Sequence, residues 1–340
     1  MKKIFIAVAA ALSLMACNKE ADPSFKTSEG DLIDINVSIN TNVITKANSV
    51  TADGEKTVNT LQVYVFRVDA NMALDVCGMA SANSLDLKCS TGERKIYALV
   101  NAPDIRGSVS CEADLLGATT LLSDNTSPTN LVMIGNVTKT LTTPGEPVNI
   151  DVIRIASSIA INKISTNFIS DALNAGEFKV TDIYLLNVNG KNNYALSSES
   201  QAENDWYHRL SKTTNAFPTA GMVSDLGINT VVTKSTAYDK VHTFYAYPNS
   251  QSYVASNTWS TRATLLVVEC SFKAVGGTAK TYYYPIPVEG LASNKKYIIP
   301  ELIVTRLGSD DPAKEITFAD CTFSVTVQDW DETTLSTETI

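Results

Sequence analysis

The chain has 340 residues, more than one hydrophobic core ordinarily supports, so two domains are expected. Acidic residues outnumber basic ones 36 to 27, giving a net charge of −9 and a pI near 4.9. That balance disfavours nucleic acid and anionic membrane surfaces as partners.

The first residues read as an export signal. Lys2 and Lys3 form a basic start, and Ile4 to Ala16 is an apolar run. It is too short for a hydrocarbon core that needs ~20 residues, but it suits the h-region of a signal peptide. Leu14-Met15-Ala16-Cys17 resembles the lipobox of bacterial lipoproteins. That resemblance implies diacylglycerol on the Cys17 thiol and a palmitate chain on the same lipoprotein, with residues 1–16 removed; an ordinary signal peptide beside a chance cysteine is the other reading. Acyl chains contribute ~0.8 kcal/mol per buried CH₂, enough together to anchor a chain. Residues 17–30 are polar and read as a tether, with a weak resemblance to the acidic signals that send lipoproteins to the cell surface. No later stretch approaches the length of a membrane-spanning helix, which leaves the lipid as the anchor.

The body reads as strands. Ile33, Ile35, Val37 and Ile39 alternate with Asp34, Asn36, Ser38 and Asn40, the period of a strand with one buried and one wet face. Leu61 to Phe66 is apolar on both faces, as in a central strand of a sandwich. Further strands are expected at Lys95 to Val100, Val148 to Ile155, Lys179 to Leu186, Val241 to Tyr247, Ala263 to Phe272, Lys280 to Val288, Tyr297 to Thr305 and Thr322 to Val327. Turn signals separate them, among them Asn101-Ala102-Pro103, Thr143-Pro144-Gly145 and Asn189-Gly190. Short helices are expected at Glu112 to Leu122 and Ile169 to Ala175. Many strands with little helix mean a sandwich or barrel. The joint is placed at Pro144/Pro147, giving domains 31–147 and 148–340.

Without Cys17, five cysteines remain, so complete pairing is excluded. Cys77 and Cys89 are near enough in sequence to bridge; buried free thiols are the other reading.

Catalytic signatures are missing. His208 and His242 lie at no metal-ligand spacing from a cysteine or carboxylate, and no nucleophile elbow, C-x-x-C, zinc-protease, P-loop or dinucleotide motif occurs. Asp310-Asp311 lacks the ligand spacing of a calcium loop and reads as a solvated turn. Asp329-Trp330-Asp331 suggests either a carbohydrate platform or a core-capping tryptophan. No enzyme, metal or cofactor is expected.

The ordered set of segments resembles the fimbrillins, subunits of the type V pili of Bacteroidia. The carriers are the lipobox, the strand before Lys46-Ala47, and Leu61-Gln62-Val63-Tyr64-Val65-Phe66. Next come Ile96 to Asn101 running into Ala102-Pro103, Met133-Ile134-Gly135 as an M-x-G segment, and Arg154 followed by Ala156. Tyr297-Ile298-Ile299 and Val325 to Trp330 resemble the closing strands. The resemblance implies an all-β fold of two tandem Greek-key, transthyretin-like sandwiches with a few short helices.

It also implies a mechanism. A lipoprotein precursor reaches the outer membrane surface, a trypsin-like protease removes the first strand, and the opened groove accepts a strand from a neighbour. The contact is β-augmentation, and repeated without closure it builds a filament, supporting adhesion. On this chain the removable strand is 31–46, with Ile33, Ile35, Val37 and Ile39 as its plug. Cleavage falls between Lys46 and Ala47, where relatives often carry arginine, so a lysine-tolerant protease is implied; an ordinary loop lysine is the other reading. The donor candidate is the tail 331–340, with Leu335, Thr337 and Thr339 on one face, a modest donor that fits a shaft subunit with a partly polar groove or a tail that rearranges on assembly. Partners would be further copies, related pilus subunits, the protease and a surface ligand. The alternatives are a non-polymerising surface lipoprotein, either an anchor or a binder of glycan or protein, and a hydrolase built on a sandwich.

Overall fold

The computed structural model describes residues 31–41, 54–197, 200–256, 258–314 and 321–330. Its first half contains β1 (Leu32–Asn40), β2 (Leu61–Arg67), β3 (Leu74–Ala80), β4 (Ser84–Ser90) and β5 (Gly92–Val100). After helix α1 (Glu112–Gly117) come β6 (Thr119–Leu121), β7 (Met133–Leu141), β8 (Glu146–Asp151) and β9 (Ile153–Arg154). These make a three-stranded sheet, β4-β1-β8, facing a five-stranded sheet, β3-β2-β5-β7-β9. Between the sheets lies one apolar cluster, filled by β1, by Leu61, Val63 and Val65 of β2, by Ile96, Ala98 and Val100 of β5, and by Val148 and Ile150 of β8.

The other face of the five-stranded sheet is also buried. Tyr64, Phe66, Tyr97 and Leu99 point into a second cluster, where Leu115 of α1 covers them. This explains why β2 carries apolar residues at both parities: it lies between two packed layers.

The second half begins with β10 (Ser157–Ile161) and β11 (Ile164–Thr166), then helix α2 (Asp171–Asn174). It continues with β12 (Glu177–Leu186), β13 (Val188–Asn189), β14 (Lys191–Asn193), β15 (Trp206–Tyr207), β16 (Ser224–Val232) and β17 (His242–Ala246). Last come β18 (Thr264–Lys273), β19 (Lys280–Val288), β20 (Lys295–Ile299), β21 (Leu302–Val304), β22 (Cys321–Thr322) and β23 (Thr326–Asp329). A sheet β16-β12-β18-β19 and the sheets β17-β10-β20-β23 and β11-β21-β22 enclose the second cluster. Among the described residues, no sheet closes into a barrel. Short pairs stitch the halves together: β14 pairs with β6, and the Tyr247 hydroxyl donates to the Leu121 carbonyl at 2.9 Å.

Three expectations need correcting. The strand expected at Val148 to Ile155 breaks at Val152, and its first part, β8, is hydrogen-bonded to β1. The joint placed at 147/148 therefore falls inside the first sheet pair, and beyond β8 the buried side chains belong to the second cluster from Ile155 on. The strand expected at Tyr297 to Thr305 breaks at Pro300, which lacks an amide for the ladder; β20 then pairs with β10 and β21 with β11. For the cysteines the free-thiol reading holds: Cys77 and Cys89 sit on opposite faces, Cys77 packed on the second cluster and Cys89 buried in the first. Burial pushes the Cys89 thiol up to about 11, with Asp75 adding to the shift.

Candidate functional site

The site is built on β1. Its nine residues keep strict alternation because both neighbours are strands: β4 runs antiparallel on one side and β8 parallel on the other. Ile33, Ile35, Val37 and Ile39 all point inward and are 9% exposed or less. Each fully buried branched side chain contributes ~1.5–3 kcal/mol, so the four together contribute about 6–12 kcal/mol. That compares with a total stability of about 5–15 kcal/mol for a whole domain, so this half needs the slot filled. The wet face is polar and lightly tied: Asn36 Nδ2 donates to Asp86 at 2.7 Å and Asn40 Nδ2 to Asp151 at 3.2 Å. The Asp34–Lys88 pair, at 3.5 Å and well exposed, adds little.

Both walls of the slot are fastened without β1. On the β4 side, Asp75 of β3 accepts from the Ser90 amide (2.9 Å), the Ser90 hydroxyl (2.7 Å) and Arg94 Nε (3.0 Å). Burial by itself would raise the Asp75 carboxyl; the Ser90 and Arg94 hydrogen bonds hold it below its usual range. On the β8 side, Lys139 of β7 pairs with Glu146 at 3.0 Å and donates to the Pro147 carbonyl at 2.8 Å. At the far end of β8, Gly135 of β7 passes the Asp151 carbonyl so closely that a β-carbon would overlap it. This is why the M-x-G segment ends in glycine.

The N-A-P turn braces the re-entry of the chain. Asn101, in the left-handed region at φ 56°, accepts from the Asn59 amide at 2.8 Å and donates to the carbonyls of Thr57 (2.8 Å) and Leu131 (3.1 Å). Just before it, Glu55 is buried, 3% exposed in its side chain. Its carboxylate accepts from the Tyr245 hydroxyl at 2.7 Å and from Trp330 Nε1 at 2.9 Å, with Lys296 Nζ at 3.4 Å. Arg154 Nε donates to the Glu55 carbonyl at 3.1 Å, and its guanidinium lies 5.0 Å from the Trp330 ring centre.

Of the residues expected from sequence, the structure places Ile33, Ile35, Val37 and Ile39 together in the slot. Cys17, Lys46, Ala47, Leu335, Thr337 and Thr339 lie outside the described residues. Trp330 is fully buried, which settles it as a core-capping ring and not a carbohydrate platform. Asp311 Oδ1 accepts from the Ala313 amide at 2.8 Å, as in a turn. His208 Nδ1 donates to the Leu185 carbonyl at 2.9 Å, and burial lowers its pKa. His242 Nδ1 meets the Asp225 carboxylate at 2.5 Å; this carboxylate is seventeen residues away in sequence, which spacing arguments did not reach. Glu55 was missed too, since its partners lie 190 to 275 residues away.

The comparisons with known proteins agree with this architecture. A fimbrilin from Porphyromonas gingivalis superposes with a TM-score of 0.63 at 16% identity, covering 88% of this chain and 97% of that one. A structure from Bacteroides eggerthii, described as a candidate cell adhesion protein, gives 0.63 at 18% identity, with 88% and 97% covered. A similarly described protein from Parabacteroides distasonis gives 0.64 at 17% identity, with 89% and 98% covered. At these identities the likeness shows the fold. No curated protein sequence matches. The model of the family described as major fimbrial subunit protein (FimA) matches residues 33–266. That is well over half of the chain, and this protein therefore belongs to the FimA major fimbrial subunit family, a family of structural subunits of cell-surface fimbriae and not of enzymes.

Proposed function

We propose that this chain is the lipoprotein precursor of a pilus shaft subunit, delivered to the outer membrane through Cys17 and polymerised there by protease-triggered strand exchange. The observation that carries the reading is the seating of β1. The first described strand fills the middle of a sheet, contributes four core side chains, and has walls that are fastened by other residues. A strand so placed is removable in the sense that matters: its loss leaves a groove and not a collapsed sheet. Cleavage after Lys46 would separate β1, which ends at Asn40, from the rest of the first half.

The groove would take an extended segment from a second copy or a related subunit, through β-augmentation. The tail 331–340, with Leu335, Thr337 and Thr339, is one source of that segment. We further read the body as two sandwich domains meeting between Val152 and Ile155, where the buried side chains change cluster.

The test is the mature N-terminus of protein taken from the surface of its native host, read by mass spectrometry. A chain beginning at Ala47 is the expected result. A chain beginning only at lipidated Cys17 would instead make the protein an anchor or a non-polymerising binding lipoprotein.

A further inference from the structure

On the face of the sheet β16-β12-β18-β19 turned away from the second cluster, two carboxylates stand directly opposite each other. Asp182 of β12 is the register partner of Glu269 of β18, and their side chains are only 13% and 12% exposed. Like charges in opposed positions on neighbouring strands destabilise a sheet, so the pair is stable only with a cation between its members. β12 is shaped around the pair. Its register shifts between Val180 and Asp182, and a bulge of that kind re-aims the side chain that follows.

A single amine fills the gap. Lys212 Nζ lies 2.7 Å from Asp182 Oδ2 and 2.8 Å from Glu269 Oε2. A tight turn after β15 presents it: the Arg209 amide donates to the Thr214 carbonyl at 3.0 Å, and the Thr214 amide to the Ser211 carbonyl at 3.2 Å. The other oxygen of Asp182, Oδ1, accepts from the Gly227 amide at 2.6 Å. On the far side, the Tyr184 hydroxyl donates to Glu269 Oε2 at 3.2 Å, and Lys212 Nζ lies 5.5 Å from the Tyr184 ring centre. Tyr184 belongs to a third apolar cluster with Leu186, Leu265, Val267 and Ala313, which limits the water on this face.

Neutralising one charge takes no more than one carboxylate and one cation. Here an amine touches a carboxyl group whose second oxygen is held by a backbone N–H, with another carboxylate in contact with the same amine. We propose that Lys212 and Asp182 join in an intramolecular amide, an isopeptide bond, with Glu269 as the proton carrier. Burial by itself would lower the pKa of Lys212; the hydrogen bonds to Asp182 and Glu269 hold it above its ordinary range, so the resting nitrogen is an ammonium.

The step begins when Glu269 takes one proton from that ammonium. The neutral amine then attacks Asp182 Cγ and the N–C bond forms. The Gly227 amide stabilises the charge that develops on Oδ1, as an oxyanion donor does. The nitrogen gives up a second proton, and the bond from Cγ to Oδ2 breaks. Oδ2 departs as water with both protons, one of them returned by Glu269, which ends ionised as it began. An ammonium and a carboxylate have become an amide and water, with no oxidant, metal or second molecule. What drives the condensation is the contact of the reacting groups within one rigid frame, which raises their effective concentration far above that of free molecules. The bond would close a loop from 182 to 212 and remove one of the two opposed negative charges.

The test is the mass of the full wild-type chain, measured after unfolding, with tandem mass spectrometry of its proteolytic peptides. The expected chain is lighter by one water than its sequence counted from the observed first residue. It should also yield a branched peptide joining residues 182 and 212. Lys212→Arg keeps the cation between the carboxylates but removes the nucleophilic amine, and should show the full mass. In samples withdrawn at intervals after synthesis, Glu269→Gln should lose water about a hundredfold more slowly, the scale of a positioned proton carrier. Full sequence mass in a natively folded wild-type chain overturns the proposal and leaves Lys212 as a neutralising ion pair. A water loss that persists in Lys212→Arg also overturns it, by placing the dehydration elsewhere. An undiminished rate in Glu269→Gln overturns the assigned proton carrier. The wild-type mass and the branched peptide decide the bond by themselves if either variant fails to fold.

Discussion

The carbonyl oxygen of Asp151 occupies the place where a side chain on Gly135 would begin. β7 and β8 belong to different sheets, so this contact fixes how closely the two layers of the first half approach beside the slot. A methyl group there meets the Asp151 backbone first and the buried Ile150 side chain next. Gly135→Ala should destabilise the chain by about 1–3 kcal/mol in urea titration, as overpacking does. Gly107→Ala, with nothing within 4 Å of its added carbon, should stay within about 0.5 kcal/mol.

The two faces of β1 should respond very differently to truncation. Ile35→Ala removes a side chain that is 1% exposed and should cost the precursor about 2–5 kcal/mol. Asn36→Ala loses hydrogen bonds to Asp86 and Ser38 on the wet face and should cost about 1 kcal/mol or less. Comparable losses in thermal melts of the two variants would mean that β1 is not seated as described.

Cys89 is a built-in reporter of the slot. It stands opposite Ile33 in the β1–β4 register, is 1% exposed, and its thiol is raised to about 11 by burial. In the precursor it should resist iodoacetamide at pH 8. In a chain beginning at Ala47 it should alkylate readily while monomeric and become protected on polymerisation. Protection in the monomer would indicate that the empty slot closes, against the proposed function.

Asn101 supports the turn with its backbone and its side chain together. Asn101→Ala loses the bonds to Asn59, Thr57 and Leu131 and puts a residue less tolerant of the left-handed region at φ 56°, a loss of about 2–4 kcal/mol by chemical denaturation. Asn101→Gly, which keeps the backbone permissive, should lose less.

Acid should weaken the fold in two windows. His208 is pushed below its ordinary value of 6.5 by burial, so from about pH 6.5 downward the unfolded chain binds a proton that the folded chain refuses. Stability then falls with falling pH, by no more than ~1.4 kcal/mol per unit for one proton. Asp75 is held low in the fold, so its contribution is present above the usual carboxylate range and lost as pH drops below about 4. Urea midpoints at pH 7, 6 and 5 should decline in the wild type and flatten over that interval in His208→Asn, which also tolerates the residue's φ of 48°.

Much of this fold could be read from local pattern, because strands bury alternate residues and the period survives in the sequence. β1 matches its expectation within a residue at each end, and β19 matches at both ends. α1 and α2 fall inside the two helical stretches anticipated. Among the strands that local pattern missed are several without a clean period. β3 is half-buried throughout and includes Gly78, over which Leu85 and Leu87 fold, so neither face announces itself. β16 is interrupted by Gly227 and Asn229, both at positive φ, which breaks the alternation where the ladder bulges. The slot was legible for the same reason as β1. Its fastenings were not: Asp75 with Arg94, Lys139 with Glu146, and Glu55 with Trp330 are pairings of single polar residues, and nothing in one residue's neighbourhood names a partner on another strand.

The parallel contact of β1 with β8, set against its antiparallel contact with β4, has a consequence for assembly. Here the neighbours impose different ladders, so a strand entering backwards would have to satisfy a parallel pattern on the β4 side and an antiparallel one on the β8 side, with every bond displaced. The slot therefore distinguishes an incoming segment's N-terminal end from its C-terminal end. A fibre made through it would be vectorial, with one extremity chemically unlike the other, and would lengthen by addition at a defined pole.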